Sequence, residues 1–125
     1  MDFSWQSFAE PEPGSELRGV VGLLHPFRYR TVPRVMQSTR RIESQLAESN
    51  GLVGYALRAK FFRRRFWAVA VWENEDSLRN FVESSPHARI RAALKDEMEE
   101  SWFETFDVES EEVPIEIDEA IARVE

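Results

Sequence analysis

An α+β fold, one antiparallel sheet with helices on one side, follows from three features of the sequence. Residues Arg65–Trp72 are apolar in both alternating sets, Phe66, Ala68, Ala70 and Trp72 against Trp67, Val69 and Val71. An extended chain of this kind has both faces covered and lies in the middle of a sheet. Leu17–Leu24 is the second such run, with Val21 and Leu23 opposing Val20 and Leu24. Between and beyond these runs the apolar period changes from two to about 3.6, which gives the order strand, helix, strand, strand, helix, strand.

The elements follow in turn. Residues 1–15 carry Phe3, Trp5 and Phe8 ahead of Glu-Pro-Glu-Pro-Gly-Ser, a composition that breaks a helix or a central strand and reads as an arm and linker. Three aromatics are costly to leave in water, so the arm docks on the body, docks on a partner subunit, or stays partly disordered. In the first central strand Gly19 and Gly22 mark a bulge or a close approach of another backbone, and His25-Pro26 ends it. Thr31 is a candidate cap with Pro33 in the first turn, and Val32, Val35, Met36, Thr39, Ile42 and Leu46 then fall at helical spacing. Asn50-Gly51 supplies the left-handed stop.

Leu52 to Phe61 reads as an edge strand, with Phe62-Arg63-Arg64 at the tip of a hairpin into Arg65–Trp72. Asn74 caps the next helix, with Leu78, Phe81 and Val82 on its apolar stripe. Ser85-Pro86 starts a fresh helix that runs through Ile90, Leu94 and Met98 to about Glu99. Glu100 to Glu109 alternates as a half-exposed strand. Pro114 then precedes Ile117, Ala120, Ile121 and Val124, a short amphipathic helix.

In the ferredoxin-like arrangement of this order the first and third strands are central, and the two doubly apolar runs are the first and the third. The predicted fold is therefore ferredoxin-like βαββαβ over 16–110, after the arm at 1–15 and before an acidic helical tail at 111–125. Helices on one side leave the other face of the sheet in water. An identical subunit packed about a two-fold axis covers it most simply, as a dimeric α/β barrel.

A chain of 125 residues, 42% hydrophobic, is one domain with a core of its own. It has no cysteine, which excludes disulfides and thiolate chemistry, and only two histidines, so no metal site is assigned. No apolar run reaches the roughly 18 residues of a membrane span, so the expected setting is the cytoplasm, with no membrane partner. A net charge of −7 argues against nucleic acid as a partner. That average hides an asymmetry: residues 18–65 are predominantly basic, and from Asp96 onward Arg123 is the lone cation.

The stretch Trp67-Ala-Val-Ala-Val-Trp-Glu-Asn-Glu-Asp-Ser-Leu-Arg-Asn-Phe-Val-Glu-Ser-Ser-Pro-His87 resembles the third strand and following helix of the antibiotic-biosynthesis-monooxygenase-like proteins of the dimeric α/β-barrel superfamily. The shared pattern is a strand ending in an aromatic, a short acidic turn, an amphipathic helix and a Ser-Pro-His-type break. The resemblance implies a homodimer with a pocket between sheet and helices for a small hydrophobic, aromatic compound, oxidised by O₂ without a cofactor. The alternative is a non-catalytic ligand-binding or structural dimer. The sequence departs from the pattern in two places: the first strand offers no Asn, and Val82 stands where many relatives carry a helical His. A haem-degrading branch places an iron-ligating His near Arg91 and a Trp at Phe81, so haem is disfavoured as a cofactor.

The candidate site residues are these. His87, early in its helix, faces a dipole that favours the neutral imidazole and is the candidate base. Arg58 or Arg28 is the candidate stabiliser of a developing oxyanion. Trp67 or Trp72 forms a stacking wall; the two point to opposite faces of one strand, so at most one lines a cavity beneath the helices. Tyr55, Phe81 and His25 complete the substrate-binding set, each with core packing as its competing role.

Overall fold

The computed structural model describes residues 1–125 and contains one antiparallel sheet of five strands: β1 (Asp2–Ser7), β2 (Glu16–Pro26), β3 (Leu52–Lys60), β4 (Arg65–Trp72) and β5 (Met98–Glu109). Their order across the sheet is β1-β3-β4-β2-β5. The two doubly apolar runs are neighbours in the middle, with Val21 opposite Val69 and Gly22 opposite Ala68. Removing β1 leaves the ferredoxin-like βαββαβ order.

Three helices lie on one face. α1 (Val32–Glu48), α2 (Glu75–Glu83) and α3 (His87–Leu94) close it with two apolar clusters. Val35, Ile90 and Leu94 meet Ala59, Phe66 and Met98, and Leu46, Leu78 and Phe81 meet Leu52, Tyr55 and Trp72. Asn74 caps α2 as its sequence predicts, Oδ1 accepting from the Ser77 amide at 2.9 Å. Gly51 takes the left-handed φ of +85° at the turn after α1. Thr31 does not cap α1; its hydroxyl donates to Glu97 instead, at 3.3 Å. α3 ends at Leu94, earlier than its apolar spacing suggests, because Met98 pairs with Pro26 and begins β5.

The arm docks on its own body. β1 pairs with β3, so Leu52–Lys60 is covered and does not form the sheet edge. Gly54 makes this possible: a Cβ there would lie 2.4 Å from the Trp5 ring, so the absent side chain is the seat of the indole. Phe8 stacks on Tyr55 at 5.8 Å.

The far face of the sheet, which the helix count assigns to a second subunit, carries the chain's own α4 (Ile117–Val124). Ile117 and Ala120 are buried against Leu17, Val21, Val69, Val71, Phe106 and Val108. The stripe of Ile117, Ala120, Ile121 and Val124 therefore covers apolar surface within one chain, so this part of the far face is shielded without a second subunit. No helix is long and apolar enough to cross a membrane.

Candidate functional site

Residues opposite one another in a sheet share a face, so the register defines rows across it. On the face beneath α1–α3 one row runs Leu57, Ala68, Gly22, Phe103. Ala68 is exposed although it sits in the middle of a central strand, and Val20, Gly22, Leu24, Leu57 and Ala70 around it are only half-buried. The two apolar clusters hold the helix layer at either end of this face, and the row between them is left partly exposed.

The floor is bare because its side chains are small. At Gly22 a Cβ would meet the Trp102 carbonyl at 3.4 Å and Phe103 Cβ at 3.5 Å, an ordinary contact. Gly19 differs: there a Cβ would lie 2.5 Å from the Phe106 ring, so packing demands a glycine. Nothing in the fold demands one at position 22, and its absence of side chain keeps space open.

One end of the row is closed by Phe103, 46% exposed, with the Arg91 guanidinium 4.8 Å above its ring. Arg91 has no carboxylate partner among the ion pairs. His87 lies one helical turn before it on α3, a spacing that puts both on one side of the helix. The backbone N–H of His87 donates to Gln45 Oε1 at 2.7 Å, and the Gln45 amide donates to the Phe81 and Ser84 carbonyls at 3.0 and 3.2 Å. α1 thereby fixes the corner between α2 and α3.

Nδ1 of His87 lies 3.2 Å from the Val82 carbonyl, which only accepts, so Nδ1 carries the proton and Nε2 the lone pair. Burial lowers the His87 pKa below the usual imidazole value, the positive charge of Arg91 lowers it further, and the bond to Val82 partly opposes them. The result is a neutral imidazole with a free basic nitrogen.

The predicted residues fall into two groups. Beneath the helices, Phe81 packs between Trp72 at 5.2 Å and His87 at 4.8 Å. Trp72 is fully buried and its indole N–H has no partner, so it backs the site without lining it. Tyr55 is also buried; its hydroxyl donates to Glu43 Oε2 at 2.7 Å, and burial together with that bond raises its pKa.

The second group is elsewhere. Trp67 faces α4, edge-on to Trp102 at 5.8 Å. Arg58 is on that face too, bound to Asp2 at 2.8 Å and Asp118 at 2.7 Å, so the sheet itself separates it from His87 and the two cannot act on one ligand atom. His25 closes the far-face end of β2, buried, with Nε2 3.3 Å from Glu99. Arg28 lies in a shallow polar depression with Phe27, Thr31, Asp96 and Glu97. The sequence reading missed Gln45, Arg91 and Phe103, and it missed the floor. Its signal was a Gly and an Ala at the centres of two strands otherwise rich in large apolar residues, and a cation four residues after His87.

Solved structures share this architecture. A dimeric ferredoxin-like protein of unknown function from Thermobifida fusca matches 82% of this chain and 99% of its own with a TM-score of 0.65 at 17% identity. SnoaB, a cofactor-independent oxygenase from Streptomyces nogalater, matches 74% of this chain and 91% of its own with a TM-score of 0.55 at 18% identity. A proposed antibiotic biosynthesis monooxygenase from Nitrosomonas europaea matches 73% and 95% with a TM-score of 0.61 at 12% identity. No protein-family model matches the sequence, and no curated protein sequence does. At these identities the likeness establishes a ferredoxin-like fold resembling the antibiotic-biosynthesis-monooxygenase-like structures, and no chemistry.

Proposed function

We propose that the protein binds a small hydrophobic, aromatic compound in the groove over Gly22 and Ala68 and oxidises it with molecular oxygen. The observation that carries this reading is the exposure of Ala68 at the centre of the sheet, on the face beneath the helices. The fold likeness to a cofactor-independent oxygenase supports the choice of chemistry.

In this mechanism His87 Nε2 takes a proton from an acidified C–H of an anthrone-like substrate, leaving a carbanion delocalised into the ring. Electrons pass from that carbanion to O₂ and a C–O bond forms. Loss of the second C–H proton then leaves one oxygen as a carbonyl, and the other departs as water with both protons. Arg91, in place of Arg58 and Arg28, is the cation beside the developing negative charge. Phe81, backed by Trp72, holds the imidazole from behind. A homodimer is part of the proposal and is supported by the dimeric ferredoxin-like neighbour. It must accommodate α4 and the Trp67–Trp102 pair beside it.

A second reading, ligand binding without turnover, is favoured by Val82 in the place of the family's helical His and by the first strand's lack of Asn. Ala68→Leu fills the groove, and anthrone is the probe. Quenching of native tryptophan fluorescence without oxygen measures binding, and oxygen uptake measures turnover. Native protein is expected to show both and Ala68→Leu neither, at an unchanged Tm. Binding without uptake establishes the second reading, and binding that survives Ala68→Leu removes the groove from both.

A further inference from the structure

The loop after β2 and the hairpin between β3 and β4 form a single exposed tip. The Tyr29 hydroxyl donates to the Phe62 carbonyl at 2.6 Å, and Arg64 Nε donates to the Pro26 carbonyl at 3.2 Å. The Arg64 guanidinium also lies 4.5 Å above the Tyr29 ring. Arg64 adopts a left-handed φ of +54°, a conformation that glycine takes more easily, and this turn displays Phe62 outward. Phe62 is 91% exposed, Tyr29 58%, Phe27 52% and Phe61 37%. A fixed tip with four aromatics in water is a surface built to be covered.

Its charge identifies the cover. Arg28, Arg30, Lys60, Arg63, Arg64 and Arg65 flank these rings along the two segments, and none of them makes an ion pair, in a chain with 23 carboxylates. No acidic residue occurs from Ser49 to Trp72. Asp96 and Glu97 line the depression beside Phe27 and Arg28, and Glu97 is bound to Arg34; Asp2 and Asp118, which come close to Lys60, are both held by Arg58, and Glu99 lies against His25.

We infer that this tip docks on an anionic lipid bilayer, with Phe62 inserted among the headgroups and the cations on the lipid phosphates. A ring protruding from a convex hairpin suits a deformable apolar medium and has no need of a matching pocket. The remaining net negative charge orients the body away from the surface. Single-stranded nucleic acid fits less well, because it needs a groove of stacked aromatics. Of Phe61, Phe62, Phe66 and Trp67, Phe66 is buried and Trp67 belongs to the far face. The absence of an apolar span in the sequence bears on crossing a membrane, whereas a peripheral contact of this kind leaves no such run.

Flotation of the full chain with vesicles tests this. With phosphatidylcholine containing phosphatidylglycerol at low salt the protein floats; with phosphatidylcholine alone, or at high salt, it stays at the bottom. Phe62→Ser lowers partitioning roughly tenfold or more. Each cation near an anionic surface is worth about fivefold, so Arg30→Glu with Arg63→Glu lowers it by at least about twenty-fivefold. Both variants change exposed side chains, and an unchanged Tm confirms the fold. The inference is overturned if native protein does not float with anionic vesicles, or if the variants float equally well. It is overturned also if Phe62→Ser instead abolishes self-association in sedimentation, which makes the cover a second copy, or binding to a single-stranded oligonucleotide.

Discussion

Nη1 of Arg58 donates to Oδ1 of Asp118 at 2.7 Å, which ties the third strand of the sheet to the last helix. The same guanidinium donates from Nε to Asp2 Oδ1 at 2.8 Å, so one side chain holds both β1 and α4. Its own side chain is 16% exposed, while the carboxylates are largely in water. Bonding to Arg58 holds both carboxyls below the usual Asp range, so their stabilisation is present above that range and is lost as pH falls through it. Arg58→Met is expected to raise amide exchange in β1 and α4 together, with β2 and β4 unchanged. Loss of protection in only one terminal element contradicts a shared clamp.

His87 provides a pH signature of opposite functional meaning. Because burial lowers its pKa in the folded protein, the unfolded chain binds the proton first as pH falls below the ordinary value of about 6.5. Folded stability therefore declines below that pH until the folded-state value is reached, and it is unaffected above. His87→Gln lacks this part of the slope. Thermal unfolding of both proteins between about pH 5 and 8 checks it: parallel curves would mean the imidazole titrates freely.

The two central strands and their adjacency were legible because a doubly apolar strand has one place in a sheet, the middle. Asn74 and Gly51 were legible because their local chemistry permits few alternatives. β1 was obscured by short length and by the following Pro-Gly segment, while its seat, the missing side chain of Gly54, lies 49 residues away in sequence. α4 was read correctly as an amphipathic helix, yet its partner face was given to a second molecule, since periodicity says that a stripe is buried and not where. The site suffered from the same blindness. Arg58 and His87 suited one another chemically, and only the sheet between them shows that they never meet.

Gly54→Ala tests the seat of β1. The added Cβ would fall 2.4 Å from the Trp5 ring, so the indole must leave or the strand must shift. Overpacking of this kind costs about 1–3 kcal/mol. The expected outcome is a lower Tm with early proteolysis confined to residues 1–15, and Trp5→Ala in the same chain recovers part of the loss. A cost unrelieved by Trp5→Ala would place the strain elsewhere in β3.

Trp72→Phe separates a residue that backs the groove from one that lines it. The indole is fully buried with its N–H unpaired, so removing it relieves an orphaned donor worth about 1–3 kcal/mol while opening a small void of similar cost. Stability should stay within about 1 kcal/mol of the native protein. Anthrone binding should be retained, because no part of Trp72 reaches solvent. Phe103→Ala, in contrast, strips the exposed wall on which Arg91 rests and should weaken binding roughly tenfold. If Trp72→Phe lost the ligand while Phe103→Ala kept it, the binding surface would lie deeper than the Gly22–Ala68 floor, inside the cluster of Trp72, Phe81 and Leu78.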